Sequence, residues 1–237
     1  MRYQLYYWPG IPGRGELVRL ALEQAGADYA DVAREGGIRA LMAILGDAMA
    51  EHPPFAPPVL RAGKLLIGQT ANILLFLGDR HGLAPKTEAG RLWTHQLQLT
   101  MSDFLVEAHD VHHPIGSSLY YGEQKPESLR RAENFRRQRL PKFLGYFERV
   151  LANNSRGDKY LVGGRLTYAD LSLFHMINGL AYAFPRAMKR LARRHPLMMA
   201  VHERVAALPR IAAYRASDRS IPFNESGIFR HYPELDG

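Results

Sequence analysis

Residues 55–77 constrain this chain more than any other stretch. Phe55-Ala-Pro-Pro-Val-Leu places Pro57 and Pro58 directly before a short apolar run, and a Gly-containing turn at 61–63 leads into a second run. Gly68-Gln69-Thr70 then opens a segment whose apolar residues Ile73, Leu74 and Leu77 fall at helical spacing. The pattern predicts strand, tight turn, strand, helix. Proline cannot donate to a sheet ladder, so at a strand entrance it is costly unless it shapes a turn or a binding surface. Where a strand ends beside the start of a helix, free backbone groups can hold a polar ligand.

Upstream, the aromatic run Tyr-Gln-Leu-Tyr-Tyr-Trp at 3–8 reads as a buried strand, and Pro9-Gly10 and Pro12-Gly13 break it into a loop. From Arg14 the spacing of Leu17, Val18, Leu20, Ala21, Leu22 and Ala25 is helical, with Arg19 and Glu23 as polar positions and Gly26 as a stop. Residues 27–32 predict a second strand. Residues 34–52 stay ambiguous, because Gly36, Gly37 and Gly46 interrupt a helical pattern of Ile38, Leu41, Met42 and Leu45. The glycine and proline of 80–85 mark a linker, which divides the chain into domains at 1–82 and 88–237.

Beyond the linker the pattern is helical. Trp93, Leu97, Met101, Phe104, Leu105 and Ala108 mark one long helix, and residues 129–151 predict a second, kinked at Pro141. Thr167 and Asp170 are spaced as a capping box before the apolar run Leu171, Leu173, Phe174, Met176, Ile177. Residues 221–237 form a tail rich in Pro, Gly and aromatics, expected to pack back on the body.

The order strand–helix–strand, then strand–strand–helix with a proline before the third strand, resembles a thioredoxin-like domain. Four elements resemble the cytosolic glutathione S-transferases more specifically. They are the aromatic strand ending in tyrosine, the helix start Gly13-Arg14-Gly15-Glu16…Arg19, the Pro58-Val-Leu strand entrance, and Gln69-Thr70-Ala71-Asn72-Ile73 in place of the family's Gln-Ser-x-Ala-Ile. The resemblance covers nearly the whole chain. It implies a thioredoxin-like α/β N-terminal domain plus an all-α C-terminal domain, with glutathione as co-substrate. The implied function is conjugation of the glutathione thiolate to small hydrophobic electrophiles by a tyrosine-type, bacterial- or fungal-like homodimer. The alternative is a non-catalytic protein of the same fold that binds a ligand or partner.

A free thiol has a pKa near ~8.5, so at neutral pH only a few per cent is ionised, and a donor aimed at the sulfur favours the thiolate. The family uses tyrosine, serine or cysteine for that contact. This chain has no cysteine and no serine in its first hundred residues, which leaves tyrosine. Tyr7 matches the family's tyrosine in phase. Gly13 follows it by six positions, one more than in the tyrosine classes, so Tyr6 stays open as the alternative. The resemblance further implies glutathione contacts from Arg14, Gln69 and Thr70, from the residue before the family's cis-proline, and from Asp103, which matches an acid reaching across the dimer in some classes. The residue before the cis-proline is here Pro57, which has no N–H to offer the ligand. The family's Trp-x-x-x-Lys for the glycine carboxylate is absent from 34–52, where Arg39 and His52 are the available substitutes.

His109, His112 and His113 invite a metal reading, but no second ligand cluster accompanies them, so no metal is expected. They fit equally a helix C-terminus or the wall of the electrophile pocket. The net charge of +8 suits an anionic small ligand. Arginines spread through helices without interleaved aromatics argue against nucleic acid. With no membrane-length apolar run and no signal-peptide pattern at the N-terminus, the chain reads as cytoplasmic and not membrane-bound.

Overall fold

The computed structural model describes residues 2–237; Met1, the first residue of the expected 1–82 domain, lies outside them. Residues 55–77 fold as their pattern predicts: β3 (Val59–Ala62), β4 (Leu65–Gly68) and α4 (Thr70–His81). The peptide between Pro57 and Pro58 is cis. β3 pairs antiparallel with both β4 and β1 (Tyr3–Tyr6), and β2 (Tyr29–Asp31) runs parallel to β1, giving one mixed sheet in the order β2-β1-β3-β4. Between β1 and β2 lies α1 (Gly13–Ala25), which ends at Gly26 in the left-handed region, φ 63°. That conformation costs glycine nothing and explains the stop.

Side-chain alternation along β1 divides its residues between two cores. Tyr3 and Leu5 join Leu17, Leu20, Ile73 and Leu77 beneath α1 and α4, whereas Tyr6 packs with Ala33, Leu41 and Val59. Ala33 and Leu41 come from α2 (Val32–Gly36) and α3 (Arg39–Leu45), into which the ambiguous stretch resolves, with Gly37 and Gly46 as the caps.

This N-terminal sheet domain is joined to a helical C-terminal domain. α5 (Glu88–His109) packs on α8 (Tyr168–Ala183), and α8 also contacts α1 and α10 (Pro196–Ala206), which buries it along almost its whole length. The long helix expected over 129–151 runs without a break in the structure, and its irregularity takes the form of a π-helical turn just before Pro141. α6 (Lys125–Asn134) passes through a π-helical turn (Phe135–Arg139) into α7 (Leu140–Ala152). Pro141 lacks an N–H and its ring crowds the carbonyl four residues back, at Arg137, so the chain widens upstream of the proline. α9 (Pro185–Ala192), α11 (Pro209–Arg215) and a short α12 (Pro233–Asp236) complete the domain. The tail packs on the body as expected: Ile228, Phe229 and Leu235 are buried, and Asp236 accepts from the first N–H groups of α9, at Arg186 (2.7 Å) and Ala187 (3.1 Å). No helix among the described residues is long and apolar enough to cross a membrane.

Arg19 fastens the two domains. Its side chain is fully buried, with Nε donating to Asp31 at the end of β2 (2.6 Å) and Nη1 to Glu16 (3.3 Å). Tyr214 of α11 donates to the same Glu16 oxygen at 3.0 Å. A buried cation is tolerable only with such compensation, and here two carboxylates supply it.

Candidate functional site

β1 stops at Tyr6, and the register pairs Tyr6 with Val59, so the next residue, Tyr7, comes level with the cis Pro58. Tyr7 is 3% exposed and lies against the backbone at the start of α1. A methyl group added to Gly13 would fall 2.2 Å from its Oη, and one on Gly15 2.5 Å from its ring carbons; Gly13 also has φ +45°. The Gly-Arg-Gly of the motif is therefore a seat for this ring. The Arg14 N–H donates to Tyr7 Oη at 2.9 Å, which leaves the phenol its own proton to give. Burial pushes the Tyr7 pKa up, against the opposing pull of the Arg14 N–H and the charges of Arg14 and Arg19. The Arg19 guanidinium lies 5.7 Å from the ring. At neutral pH the group is a protonated donor at the positive end of α1.

Tyr6 sits elsewhere. Its ring belongs to the core on the other side of the sheet, and its hydroxyl donates to Gln4 Oε1 at 3.0 Å.

Arg14, Gln69 and Thr70 come together in one cavity of about 390 Å³, with His95, Leu99 and Ser102 of α5 on its far wall. Gln69 has φ 66° and ψ 120°, the only positive-φ non-glycine among the described residues. Such backbone strain persists where the surroundings enforce it, and it clusters at binding sites. Thr70 is 6% exposed and its Oγ1 is buried without a hydrogen-bond partner; the same holds for His95 Nδ1. Two orphaned polar atoms in one cavity are costly unless a ligand satisfies them.

The other sequence candidates lie outside this cavity. Pro57 is half-buried at the cis bond, and Asp103 is exposed on α5 one residue past Ser102. Arg39 and the His52 side chain are exposed. His95 and Ser102 were not anticipated. Their signal is a seven-residue spacing along α5, one step beside the buried stripe of Leu97, Met101 and Phe104.

The three histidines do form a cluster, with ring centroids 5.1, 5.0 and 4.8 Å apart. One nitrogen of each is engaged: His112 Nε2 with the Ile228 carbonyl (2.8 Å), His113 Nδ1 accepting from Gln124 (3.1 Å), and His109 Nδ1 with Asp110 (3.2 Å), while His112 Nδ1 is buried without a partner. Among the described residues no group of three ligating side chains is placed to hold a metal ion. The cluster instead ties the end of α5 to the tail.

Burial lowers the pKa of all three, that of His112 to about 3. A histidine with a depressed folded-state pKa binds fewer protons folded than unfolded between that value and about 6.5. Its contribution is full above the upper limit and is lost as pH falls through the window. Urea unfolding of the wild type should therefore weaken from pH 6.5 downward, and His112→Gln should flatten the slope. Parallel pH profiles for the two proteins would contradict this.

Comparison with known proteins places these features in context. Residues 109–218 match the family model described as the C-terminal domain of glutathione S-transferase. A glutathione S-transferase of Plasmodium falciparum is 26% identical over 223 residues, covering 89% of this chain and 93% of that protein. Glutathione S-transferase P 1 of Xenopus laevis is 28% identical over 218 residues, covering 91% and 92%. Among solved structures, the Pi-class glutathione S-transferase of Onchocerca volvulus superposes with a TM-score of 0.72 at 22% identity, over 94% of this chain and 98% of that one. The fold is the one these proteins share.

Proposed function

We propose that this chain is a glutathione S-transferase, like the proteins it resembles, and that it uses Tyr7 to hold glutathione as its thiolate, whose sulfur takes an alkyl or aryl group from small hydrophobic electrophiles. One observation carries the reading: a buried, protonated phenol is fixed by the Arg14 N–H, and Arg14 itself lines the cavity that holds Gln69 and the unpartnered Thr70. The phenol donates to the sulfur, while the Arg14 charge and the α1 N-terminus favour the anion. Gln69 and Thr70, at the start of α4, receive the glutamyl carboxylate and amine. Pro57 offers the cysteinyl backbone a carbonyl and no N–H, so one hydrogen bond is forgone, a loss of about 0.5–1.5 kcal/mol. Thr70→Val removes a ligand contact without touching the sulfur. It should raise KM for glutathione about tenfold and leave kcat within about twofold; a fall confined to kcat would argue against the assignment.

The same reading divides the chain into a glutathione-binding domain at 1–82 and a helical domain at 88–237 that forms the electrophile pocket. It makes the protein a cytoplasmic homodimer. A stripe of exposed apolar residues spaced by seven along α5, Leu92, Leu99 and Val106, supports self-association, as do exposed Phe55 and Leu65 on the sheet domain. Asp103 lies on the same helix, where it would meet the ligand's amine from the partner subunit. Leu99→Asp should shift the protein from dimer to monomer in sedimentation; a wild type that already sediments as a monomer would overturn the dimer. The bacterial- or fungal-like affinity belongs to this proposal; the relatives compared are a parasite and a vertebrate protein.

Retention on immobilised glutathione together with conjugation of a generic aryl halide tests the transferase reading. Retention without conjugation would instead support a non-catalytic binder, which the family relatives do not favour.

A further inference from the structure

The cavity of about 390 Å³ that holds Arg14 and Thr70 takes its walls from three elements, and each brings donors to it. Arg14, at the start of α1, supplies a guanidinium, and no carboxylate lines the cavity to neutralise it. α4 borders it through Thr70, Ala71 and Asn72, and no side chain caps this helix. The Ile73 N–H is the first to find a carbonyl, that of Gln69 at 2.9 Å, so the N–H groups before it lack an intrahelical acceptor. The third wall is α5, to which His95 belongs.

Burial lowers the His95 pKa, so at neutral pH the imidazole carries a single proton. Its two nitrogens have different surroundings. Nδ1 is buried without a hydrogen-bond partner, whereas Nε2, equally unpartnered, keeps accessible surface on this half-buried ring. A proton on Nδ1 would be a buried donor with nothing to accept it, the rarer and costlier kind of orphan. On Nε2 the proton is open to a ligand, and only a bare lone pair is left inside. The proton is accordingly assigned to Nε2, which makes His95 a donor on the cavity wall.

A guanidinium, free helix N–H groups and an imidazole N–H, with no carboxylate among them, form a cavity suited to a carboxylate ligand. We propose that His95 is a glutathione-binding residue whose Nε2–H, together with Arg14 and the start of α4, holds the α-carboxylate of the ligand's glutamyl end. The assignment rests on the transferase reading, and it adds to Gln69 and Thr70 a contact from the helical domain. It also makes the site selective. A thiol peptide without that carboxylate leaves Arg14 and His95 with no acceptor and binds more weakly.

The test compares two ligands by calorimetric titration of the full chain: glutathione, and γ-aminobutyryl-cysteinyl-glycine, which differs only in lacking the α-carboxylate. The wild type should bind glutathione at least about tenfold more tightly than the analogue. His95→Leu should raise the Kd for glutathione about tenfold and leave that for the analogue within about twofold, which a merely structural role would not do. His95→Gln, which restores an N–H near the same place, should recover most of the loss. Equal weakening of both ligands in His95→Leu, an unchanged glutathione Kd, or a glutamine variant as weak as the leucine one would each overturn the assignment. Conjugation of an aryl halide, measured in parallel, separates the two readings: a wild type that binds glutathione with this selectivity but conjugates nothing would sink the transferase reading and uphold His95.

Discussion

Tyr7→Phe should lower conjugation at neutral pH by about 10- to 100-fold while glutathione still binds. The size follows from one hydrogen bond to a charged group, worth about 1.5–3 kcal/mol, lost from the species that reacts. The structure explains why the change is nearly isosteric. The ring is seated on Gly13 and Gly15, and a phenylalanine keeps that packing while leaving the Arg14 N–H without its acceptor. The defect should shrink as pH rises past the thiol's own pKa near ~8.5, because ionisation then needs no help. Tyr6→Phe is the control. Its hydroxyl serves only Gln4 on the opposite side of the sheet, so it should leave the rate within about twofold. Equal losses in the two variants would refute the placement of Tyr7.

Asp170→Ala should be the most damaging single change to stability, at about 3–4 kcal/mol in urea or thermal unfolding. Asp170 is completely buried in the first turn of α8. Its Oδ1 accepts from the Leu161 N–H at 2.7 Å, and its Oδ2 accepts from both the N–H (2.7 Å) and the hydroxyl (2.9 Å) of Thr167. Burial pushes its pKa up to about 6 despite those donors, which shows how little solvent reaches it. Alanine leaves two buried N–H groups unpaired, each costing about 1–3 kcal/mol. Thr167→Ala loses only the cap and should cost about 1 kcal/mol. If the two variants unfolded together, the bond to Leu161 would count for nothing and the account of α8 would fail.

The features legible in the sequence were those fixed by local chemistry. Pro58 before an apolar run gave the strand entrance, alternation put Tyr7 in phase with Tyr3 and Leu5, and Thr167 with Asp170 gave the start of α8. What escaped was set by distant packing. Arg19 reads as a polar helix position, yet it is fully buried because Asp31 and Glu16 converge on it from separate elements. Gln69 gives no hint of its positive φ, since neither glycine nor asparagine stands there to signal one. His95 and Ser102 read as surface residues of α5, and only the approach of α4 and Arg14 turns that face into a cavity wall. Pro141 foretold a disturbance in its helix, but not that the helix would absorb it as a π turn one step earlier. Asp103 shows the limit of matching by position: its place on α5 is clear, and a role would depend on a second subunit.

The most direct test of the central claim is the ionisation of glutathione while bound, followed by thiolate absorbance as pH is raised, in the wild type and in Tyr7→Phe. The account predicts a bound thiol in the wild type about one to two units below the free value of ~8.5, returning close to that value when the Tyr7 hydroxyl is removed. A bound thiol that titrates identically in the two proteins would contradict it.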